Sequence, residues 1–278
     1  MLFRSGLAPS VIRTATPPVY GPFTSDPKCY YDAAVQRWFI TILQIDTDSA
    51  TGDLGTHSSV LIAVSNTNNP AGNYNIFQID TTNNTGTADH AGCPCFGDQP
   101  LIGTDAYGFY VTTNEFPIVG NGFNGAQVYA MSKSKLMTSS PPTVIHFSSV
   151  PLAEDLSYTL QPAMVPPGAP FATVNGGTEY FLSALDFTST LDNRIAIWAL
   201  TNTSSLDNKT PSLNLQSAVL NSQVYGMPPA AQQMDGPLPL GDAITAGLLG
   251  VKTGKQHTPL IESNDDRMQQ TVFAAGKL

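Results

Sequence analysis

Short apolar segments bounded by turn residues recur along the chain and predict β-strands. Residues 38–43, 60–64 and 74–79 are three such segments, each rich in β-branched or aromatic side chains. Gly, Pro, Asn and Asp separate them, which is typical of strands joined by turns. Helical periodicity is nearly absent, and the best candidate for a short helix, 243–249, contains a glycine. The pattern therefore predicts an all-β protein.

The predicted strands fall into a repeated unit. Each unit has a polar entry, a short inner strand, a turn with Gly or Asp, and an aromatic-rich strand. The units begin near residues 26, 98, 161 and 265, and each of the first three continues to about four strands. Four-stranded units repeated along one chain predict a β-propeller, in which every unit is a blade packed on its neighbours. A β-sandwich whose strands are similar by accident is the alternative.

The aromatic residues of the second and third strands are expected to be buried between blades. We expect seven of them to fill the layers between blades: Trp38, Phe39, Phe109, Tyr110, Tyr180, Phe181 and Trp198. Packing blade on blade covers both faces of each four-stranded sheet, which a single sheet cannot achieve.

The unit count predicts an incomplete ring. Propellers close with about four to eight blades, whereas residues 25–278 hold three units and the start of a fourth, with a long inter-blade excursion at 222–260. Residues 1–24 form an N-terminal segment that suits the outer part of a preceding blade. The remaining blades are therefore expected on a longer parent chain.

Composition excludes several classes of protein. Twelve Lys and Arg against 21 Asp and Glu give a net charge of −9, which argues against a nucleic-acid partner. Hydrophobic residues make up 41% of the chain, enough for a core, so general disorder is excluded. The chain contains no run of about 18 apolar residues, which is the length that would predict a membrane span. Few Lys and many Thr, Ser and Asn favour an extracellular or periplasmic protein, although residues 1–16 do not form a signal peptide.

Carboxylates at the strand entries are the first candidate site. Asp26, Asp98, Asp265 and Asp266 are expected at equivalent heights around the central channel. A ring of carboxylates suits Ca²⁺, which takes six to eight oxygen ligands. A pair of them also suits the acid and base of glycoside cleavage. The alternative is structural, because an Asp at a strand entry accepts backbone N–H bonds and caps turns.

Amides near the same entries are the second candidate site. The predicted ligand-binding residues are Gln99, Asn114, Gln161, Asn264 and Arg267. Amide side chains donate and accept hydrogen bonds together, which suits sugar hydroxyls. The alternatives are amides that hold turns and, for Arg267, a local ion pair with Asp266.

The segment that holds His90, Cys93 and Cys95 is the third candidate site. These residues supply three possible zinc ligands, but a fourth is missing nearby. The repeat places Cys29 about 20 Å from Cys95 along the strand direction, so a disulfide between them is disfavoured. Inert or locally paired Cys93 and Cys95, a metal site, and a disulfide that involves Cys29 stay open.

Several stretches together resemble a known group of proteins. They are DPKCYYD (26–32) with RWF (37–39), IAVS (62–65), GDQP (97–100) with YVTTN (110–114), and NDDR (264–267). The chain resembles bacterial secreted β-propeller proteins whose layout is distantly sialidase-like. This resemblance implies the fold but no activity. The Ser-x-Asp-x-Gly-x-Thr-Trp boxes of sialidases are absent, and the chain has only five arginines.

These observations lead to three hypotheses of function. The first is a non-catalytic, extracytoplasmic binding module for a carbohydrate or protein partner on the channel face, with no resident cofactor except possible Ca²⁺. The second is a propeller-type glycoside hydrolase, which would need two of the carboxyls about 5–10 Å apart in an open pocket. The third is a purely structural domain of a larger surface protein.

Overall fold

The computed structural model describes residues 11–12, 16–138, 140–152, 156–185, 191–231 and 268–278. Strands account for 53% of the structure and helices for 7%, so the predicted all-β class is confirmed. Within the described residues, no helix is long and apolar enough to cross a membrane.

Three large sheets follow one another along the chain. The first contains β3 (Phe23–Asp32), β4 (Arg37–Thr47), β5 (Leu54–Ser65) and β6 (Tyr74–Asp80). The second contains β7 (Cys95–Thr104), β8 (Gly108–Pro117), β9 (Ala126–Ser132) and β10 (Val144–Phe147). The third contains β11 (Gln161–Met164), β12 (Thr178–Ala184), β13 (Leu191–Thr201), β14 (Asn214–Gly226) and β15 (Thr271–Val272). Strands β3 to β6, β7 to β10 and β11 to β14 are three antiparallel meanders in chain order.

Smaller elements connect or flank these sheets. Strands β1 (Val11–Ile12) and β2 (Val19–Tyr20) form a separate two-stranded sheet. Helix α1 (Lys133–Leu136) follows β9, and 3₁₀ turns lie at Ala88–His90, Val174–Gly176 and Thr203–Asp207.

The structure differs from the prediction at the fourth unit and at the long excursion. Strand β15 pairs in parallel with β11, through Ala163 and Thr271, so it extends the third sheet and does not begin a sheet of its own. The predicted start of the excursion at 222–260 is too early, because β14 remains paired with β13 as far as Gly226. Residues 232–260 of that excursion, and the site candidates Asn264, Asp265, Asp266 and Arg267, lie outside the described residues.

The second sheet lies between the other two and is buried on both faces. Phe109 belongs to the core cluster shared with the first sheet, where its ring stacks on Phe39 at 4.9 Å. Tyr110, the next residue, belongs to the cluster shared with the third sheet and meets the Phe181 ring edge-on at 6.1 Å. Successive side chains of a strand point to opposite faces, so β8 supplies both layers and is apolar or uncharged along nearly its whole length.

The aromatic prediction is confirmed at five of its seven positions. Phe39, Phe109, Tyr110, Phe181 and Trp198 are buried in the two layers. It is wrong for Trp38 and Tyr180, which are only half-buried. Each directly precedes a buried aromatic residue on its strand, so the two-residue period turns it to the opposite face. Trp38 packs on Tyr31 at 4.8 Å, and Tyr180 stacks on Phe273 at 5.6 Å.

A buried polar contact joins the first sheet to the second. Asp32 Oδ1 accepts the N–H groups of Ala34 and Val35 and caps the β3–β4 turn, while Oδ2 receives Lys133 Nζ at 2.7 Å. Lys133 follows β9 and is almost completely buried, with its ammonium 4.5 Å from the centre of the Phe171 ring. A buried charge needs such a partner, because burial without one costs several kcal/mol.

The same arrangement joins the second sheet to the third. Asp105 Oδ1 accepts the N–H groups of Tyr107 and Gly108 and caps the β7–β8 turn. Its Oδ2 accepts the hydroxyl of Thr203, which follows β13 as Lys133 follows β9. The first turn of one sheet is thus fastened to the end of the third strand of the next sheet, twice in succession.

Gly103 allows β7 and β11 to approach closely. A Cβ atom at this position would lie 2.5 Å from Pro162 Cβ and 2.8 Å from the Ala163 carbonyl oxygen, which is closer than real Cβ atoms come. The backbone of the third sheet therefore requires a residue without a side chain here.

The substitution Gly103→Ala is expected to lower the free energy of unfolding by about 1–3 kcal/mol, because the added methyl group forces β7 and β11 apart. Urea denaturation measures the change. Gly72→Ala, in the exposed turn between β5 and β6, is the control and is expected to change it by about 0.5 kcal/mol or less. Equal stability of Gly103→Ala and the wild type would contradict the described approach of the two strands.

The substitution Lys133→Met is expected to lower the free energy of unfolding by about 3–5 kcal/mol, because it leaves the Asp32 carboxylate buried without its cation. The control Lys135→Met removes a half-exposed ammonium that donates to the Leu206 carbonyl oxygen at 3.3 Å, and is expected to cost only about 1 kcal/mol. Chemical denaturation of both variants at pH 7 tests this, and comparable losses would argue against a special role for the Asp32–Lys133 pair.

Candidate functional site

Two groups of polar side chains are candidates for function, and the first contains the strand-entry carboxylates. Strand β3 has an irregular register between Ser25 and Lys28, and β7 has one between Asp98 and Leu101. Asp26 and Gln99 lie inside these irregularities with left-handed φ values of 53° and 48°. Each precedes a proline, which lacks an N–H group and is tolerated where the ladder is interrupted.

The predicted equivalence of Asp26 and Asp98 is therefore wrong by one residue. Asp26 is equivalent to Gln99, so Asp98 lies one position earlier on its strand, a difference of about 3.3 Å. The two carboxyls are nevertheless close enough to interact. Burial raises the pKa of Asp98 to about 6, and repulsion from Asp26 adds to the rise. Asp98 and Gln99 are half-buried and keep part of their surface in contact with solvent.

The other two described amides have structural positions. Asn114 is buried, its Nδ2 donates to Thr159 Oγ1 at 2.8 Å, and its Oδ1 accepts the Thr159 N–H at 2.8 Å. Gln161 is only 5% exposed on β11. Because neither offers a surface to a ligand, the prediction of ligand contacts by Asn114 and Gln161 is corrected. The structural alternative, an amide that holds a turn, describes Asn114.

The second group surrounds Glu115, a fully buried residue near the end of β8. Its Oε1 lies 2.8 Å from His90 Nδ1 and accepts a hydrogen bond from Asn124 Nδ2 at 2.8 Å. Its Oε2 accepts from Asn83 Nδ2. The sulfur of Cys93 lies 3.6 Å from Oε1. We call these five residues, together with Cys95, the Glu115 cluster.

Two loops bring the Glu115 cluster together. The connection from β6 to β7 carries Asn83, His90 and Cys93, and it is anchored by the bond from Ile118 N–H to the Pro94 carbonyl oxygen. The connection from β8 to β9 folds back so that the Asn124 N–H donates to the Glu115 carbonyl oxygen at 3.0 Å. Residues distant along the chain therefore converge on one carboxylate.

Cys93 and Cys95 form a disulfide with a Cα–Cα distance of 4.4 Å. Local pairing of these cysteines, one of the predicted alternatives, is confirmed, and a disulfide that involves Cys29 is wrong because Cys29 is free and exposed. In this oxidised form the predicted zinc ligands Cys93 and Cys95 carry no thiolate, and the thiolate is the form of cysteine that binds metals.

His90 lies between two carboxylates. Its ring is 6% exposed, with Nδ1 against Glu115 and Nε2 3.6 Å from Asp89 Oδ2. Hydrogen bonds from the Thr87 and Ser148 side chains lower the pKa of Asp89 to about 2, so this carboxyl is ionised at neutral pH.

Tyr129 and His146 form an aromatic wall beside His90. Their rings stack at 4.4 Å, and the His146 ring lies 5.9 Å from that of His90. Burial, with a smaller contribution from His90, lowers the pKa of His146 to about 4. His146 is therefore neutral at pH 7, and its Nε2 lies 2.9 Å from Gln127 Oε1.

The tertiary structure adds a potential metal ligand that the sequence prediction lacked. Within the described residues, His90, Cys93 and Glu115 are a group whose potential metal-ligating atoms all lie within 4.8 Å of one another. One signal in the sequence pointed to Glu115, because it is the only charged residue between Asp105 and Lys133. Nothing local indicated that it would face His90, since the two meet only through the packing of the loops.

The substitution Asp98→Asn is expected to stabilise the protein at neutral pH but not in acid. Folding raises the pKa of Asp98 from its ordinary value of 3.8 to about 6, so the native state binds this proton more tightly than the unfolded state. The contribution of Asp98 to stability is therefore complete below pH 3.8 and is lost as the pH rises through 6.

Urea denaturation at pH 4 and pH 7.5 tests this expectation for Asp98. The free energy of unfolding of Asp98→Asn should exceed that of the wild type at pH 7.5 and approach it at pH 4. The exposed control Asp53→Asn should change the free energy of unfolding by about 0.5 kcal/mol or less. A stabilisation of equal size at both pH values would contradict the raised pKa.

Comparison of the chain with protein-family models, with curated proteins and with solved structures finds no match. The resemblance to bacterial secreted β-propeller proteins therefore stays a prediction, and the geometry of the two groups of polar side chains is the evidence for function.

Proposed function

We propose that the chain is a non-catalytic binding module of β-propeller type that takes a carbohydrate where its first strands enter. The observation that carries this proposal is the placement of three half-buried residues, Asp26, Asp98 and Gln99, on adjacent first strands, with the Asp26 and Asp98 carboxyls close enough to repel each other. Carboxylates accept and an amide both accepts and donates, so together they match the hydroxyl groups of a sugar.

Repetition between the sheets supports the propeller arrangement. Strand β7 packs against both β3 and β11, the first strands of the neighbouring sheets. The fastening of Asp32 to Lys133 is repeated by that of Asp105 to Thr203. Contacts of this kind between each sheet and the next are those expected of successive blades.

Backbone conformation adds support for equivalent strand entries. Non-glycine residues with φ between 48° and 61° lie inside β3 and β7 and shortly before β11 and β15: Asp26, Gln99, Thr159 and Met268. Strand β15 extends the third sheet through its parallel pairing with β11, so this repetition supports equivalent entries and not a fourth sheet.

A glycoside hydrolase is the second candidate, and one observation favours it. A carboxyl with a pKa of about 6 next to another carboxyl is the arrangement in which one group acts as general acid and the other stays ionised. Asp98 would then protonate the leaving oxygen, and Asp26 would act as nucleophile or base.

The Cys93–Cys95 disulfide supports an extracellular or periplasmic location, because disulfides persist in oxidising compartments. This location agrees with a module that meets carbohydrate outside the cytoplasm.

An array of immobilised neutral and acidic oligosaccharides tests the binding proposal. The wild type is expected to bind a subset of the glycans. Asp98→Asn should weaken that binding about tenfold or more, because it removes a charge-assisted hydrogen bond, and Gln99→Ala should weaken it about three- to tenfold, because it removes a neutral one. The control Asp53→Asn, an exposed carboxylate in the β4–β5 turn, should bind like the wild type.

The same variants separate the alternatives. Cleavage of soluble oligosaccharides by the wild type but not by Asp98→Asn would select the hydrolase. Loss of glycan binding in EDTA would indicate that the carboxylates bind Ca²⁺ and that this ion binds the sugar. Absence of glycan binding by folded protein would overturn the carbohydrate proposal and leave a protein ligand or a structural domain.

A further inference from the structure

We infer that the Glu115 cluster becomes a zinc site when the Cys93–Cys95 disulfide is reduced, with His90, Cys93, Cys95 and Glu115 as the four ligands. This inference is independent of carbohydrate binding, because none of these four residues belongs to the strand-entry group.

The donor atoms are already close to the spacing that zinc requires. Zinc bonds of about 2.0–2.3 Å in a tetrahedron place neighbouring ligand atoms roughly 3.3–3.8 Å apart. His90 Nδ1 lies 2.8 Å and Cys93 Sγ 3.6 Å from Glu115 Oε1. Cys95 Sγ is bonded to Cys93 Sγ but lies outside the group whose ligand atoms are all within 4.8 Å of one another, so it must move toward His90 and Glu115 once the disulfide opens. Two thiolates and an imidazole favour zinc over Ca²⁺ or Mg²⁺, which prefer oxygen ligands.

The surroundings of the ligands are those of a metal site. A zinc-bound histidine commonly donates its other ring N–H to a carboxylate, which orients the ring. Asp89 Oδ2 lies 3.6 Å from His90 Nε2, slightly beyond hydrogen-bond distance, and Asp89 is itself held by the Ser148 hydroxyl at 2.7 Å. Asn83 donates to the Glu115 oxygen that would not bind zinc. Asn124 Nδ2 donates to Glu115 Oε1 at 2.8 Å and to the Ala91 carbonyl oxygen at 3.0 Å, and it lies 3.8 Å from the Cys93 sulfur and 3.6 Å from the Cys95 sulfur.

The disulfide itself adds little to the stability of the fold. It closes a loop of three residues, for which the chain-entropy relation gives roughly half the stabilisation of a loop of 15 residues. Such a small gain leaves room for a chemical role of the two cysteines.

Reduction of the disulfide by an external dithiol opens the site. A thiolate of the dithiol attacks Cys93 Sγ, the partly exposed sulfur, and the S–S bond breaks so that Cys95 leaves as a thiolate with the bonding electron pair. The second thiolate of the dithiol then releases Cys93. The dithiol is oxidised to a disulfide, and its two electrons reside on the cysteine sulfurs.

Zinc binding then fixes the reduced form. With four protein ligands the site is closed, which is typical of a structural zinc site. The disulfide and the zinc complex use the same sulfurs and exclude each other, so the thiol–disulfide balance of the surroundings decides which form exists.

Titration with Co²⁺, followed by displacement with Zn²⁺, tests the inference on the full chain. The protein is reduced with dithiothreitol, which is then removed under anaerobic conditions. The reduced wild type is expected to bind one Co²⁺ with the thiolate charge-transfer and ligand-field absorption of a tetrahedral complex, and Zn²⁺ should abolish both. The oxidised wild type should show neither signal.

Variants separate this site from other thiols. Cys95→Ser and Glu115→Gln should lose the stoichiometric tetrahedral signal, and Asp89→Asn should bind zinc about 10–100-fold more weakly, because it holds His90 without touching the metal. Cys29→Ser is the matched control and should bind like the wild type, since Cys29 is free, exposed and outside the cluster. Circular dichroism checks that each variant is folded.

Three results would overturn the inference. They are a folded, reduced wild type that binds no Co²⁺ or Zn²⁺, equal binding by the oxidised chain, and loss of the signal in Cys29→Ser. Each is distinguishable from failure of the carbohydrate proposal, because the metal titration contains no glycan.

Discussion

The second sheet is covered on both faces, and most of the structure follows from the way its strands serve two neighbours at once. Phe109 faces the first sheet and Tyr110 faces the third, so one strand contributes to two core layers. Burial of about 25 cal/mol per Å² of apolar surface on each side makes this stacking the main source of stability. Close packing of three sheets also explains why Gly103 has no room for a side chain where β7 meets β11.

Stacking forces several polar groups into the interior, and three of them have partners that connect separate parts of the chain. Lys133 finds Asp32, Thr203 finds Asp105, and Glu115 collects hydrogen bonds from Asn83 and Asn124. The first two contacts join neighbouring sheets at the turns. The third joins two loops around a carboxylate next to a disulfide, an arrangement that ordinary turn capping does not require. The two contacts at the turns are therefore structural, whereas the surroundings of Glu115 indicate a chemical role.

The two candidate groups differ in what they offer a ligand. Asp26, Asp98 and Gln99 are half-buried and keep contact with solvent, which suits a reversible ligand made of hydroxyl groups. The Glu115 cluster is closed, with its carboxylate and one sulfur fully buried, which suits an ion held by side chains from several directions. The same chain therefore combines an open polar surface for a proposed carbohydrate with an enclosed set of donors for a proposed metal.

The amino-acid sequence by itself determined the strands, their division into successive groups of four and most of the aromatic core, because strand periodicity and turn residues act over short distances. It also marked His90, Cys93 and Cys95 as possible ligands. Only the tertiary structure decided that Glu115 completes this group, that Asn114 and Gln161 are buried, and that Asp26 is equivalent to Gln99. A local pattern does not determine these features, because they depend on the register between strands and on the packing of loops distant in sequence.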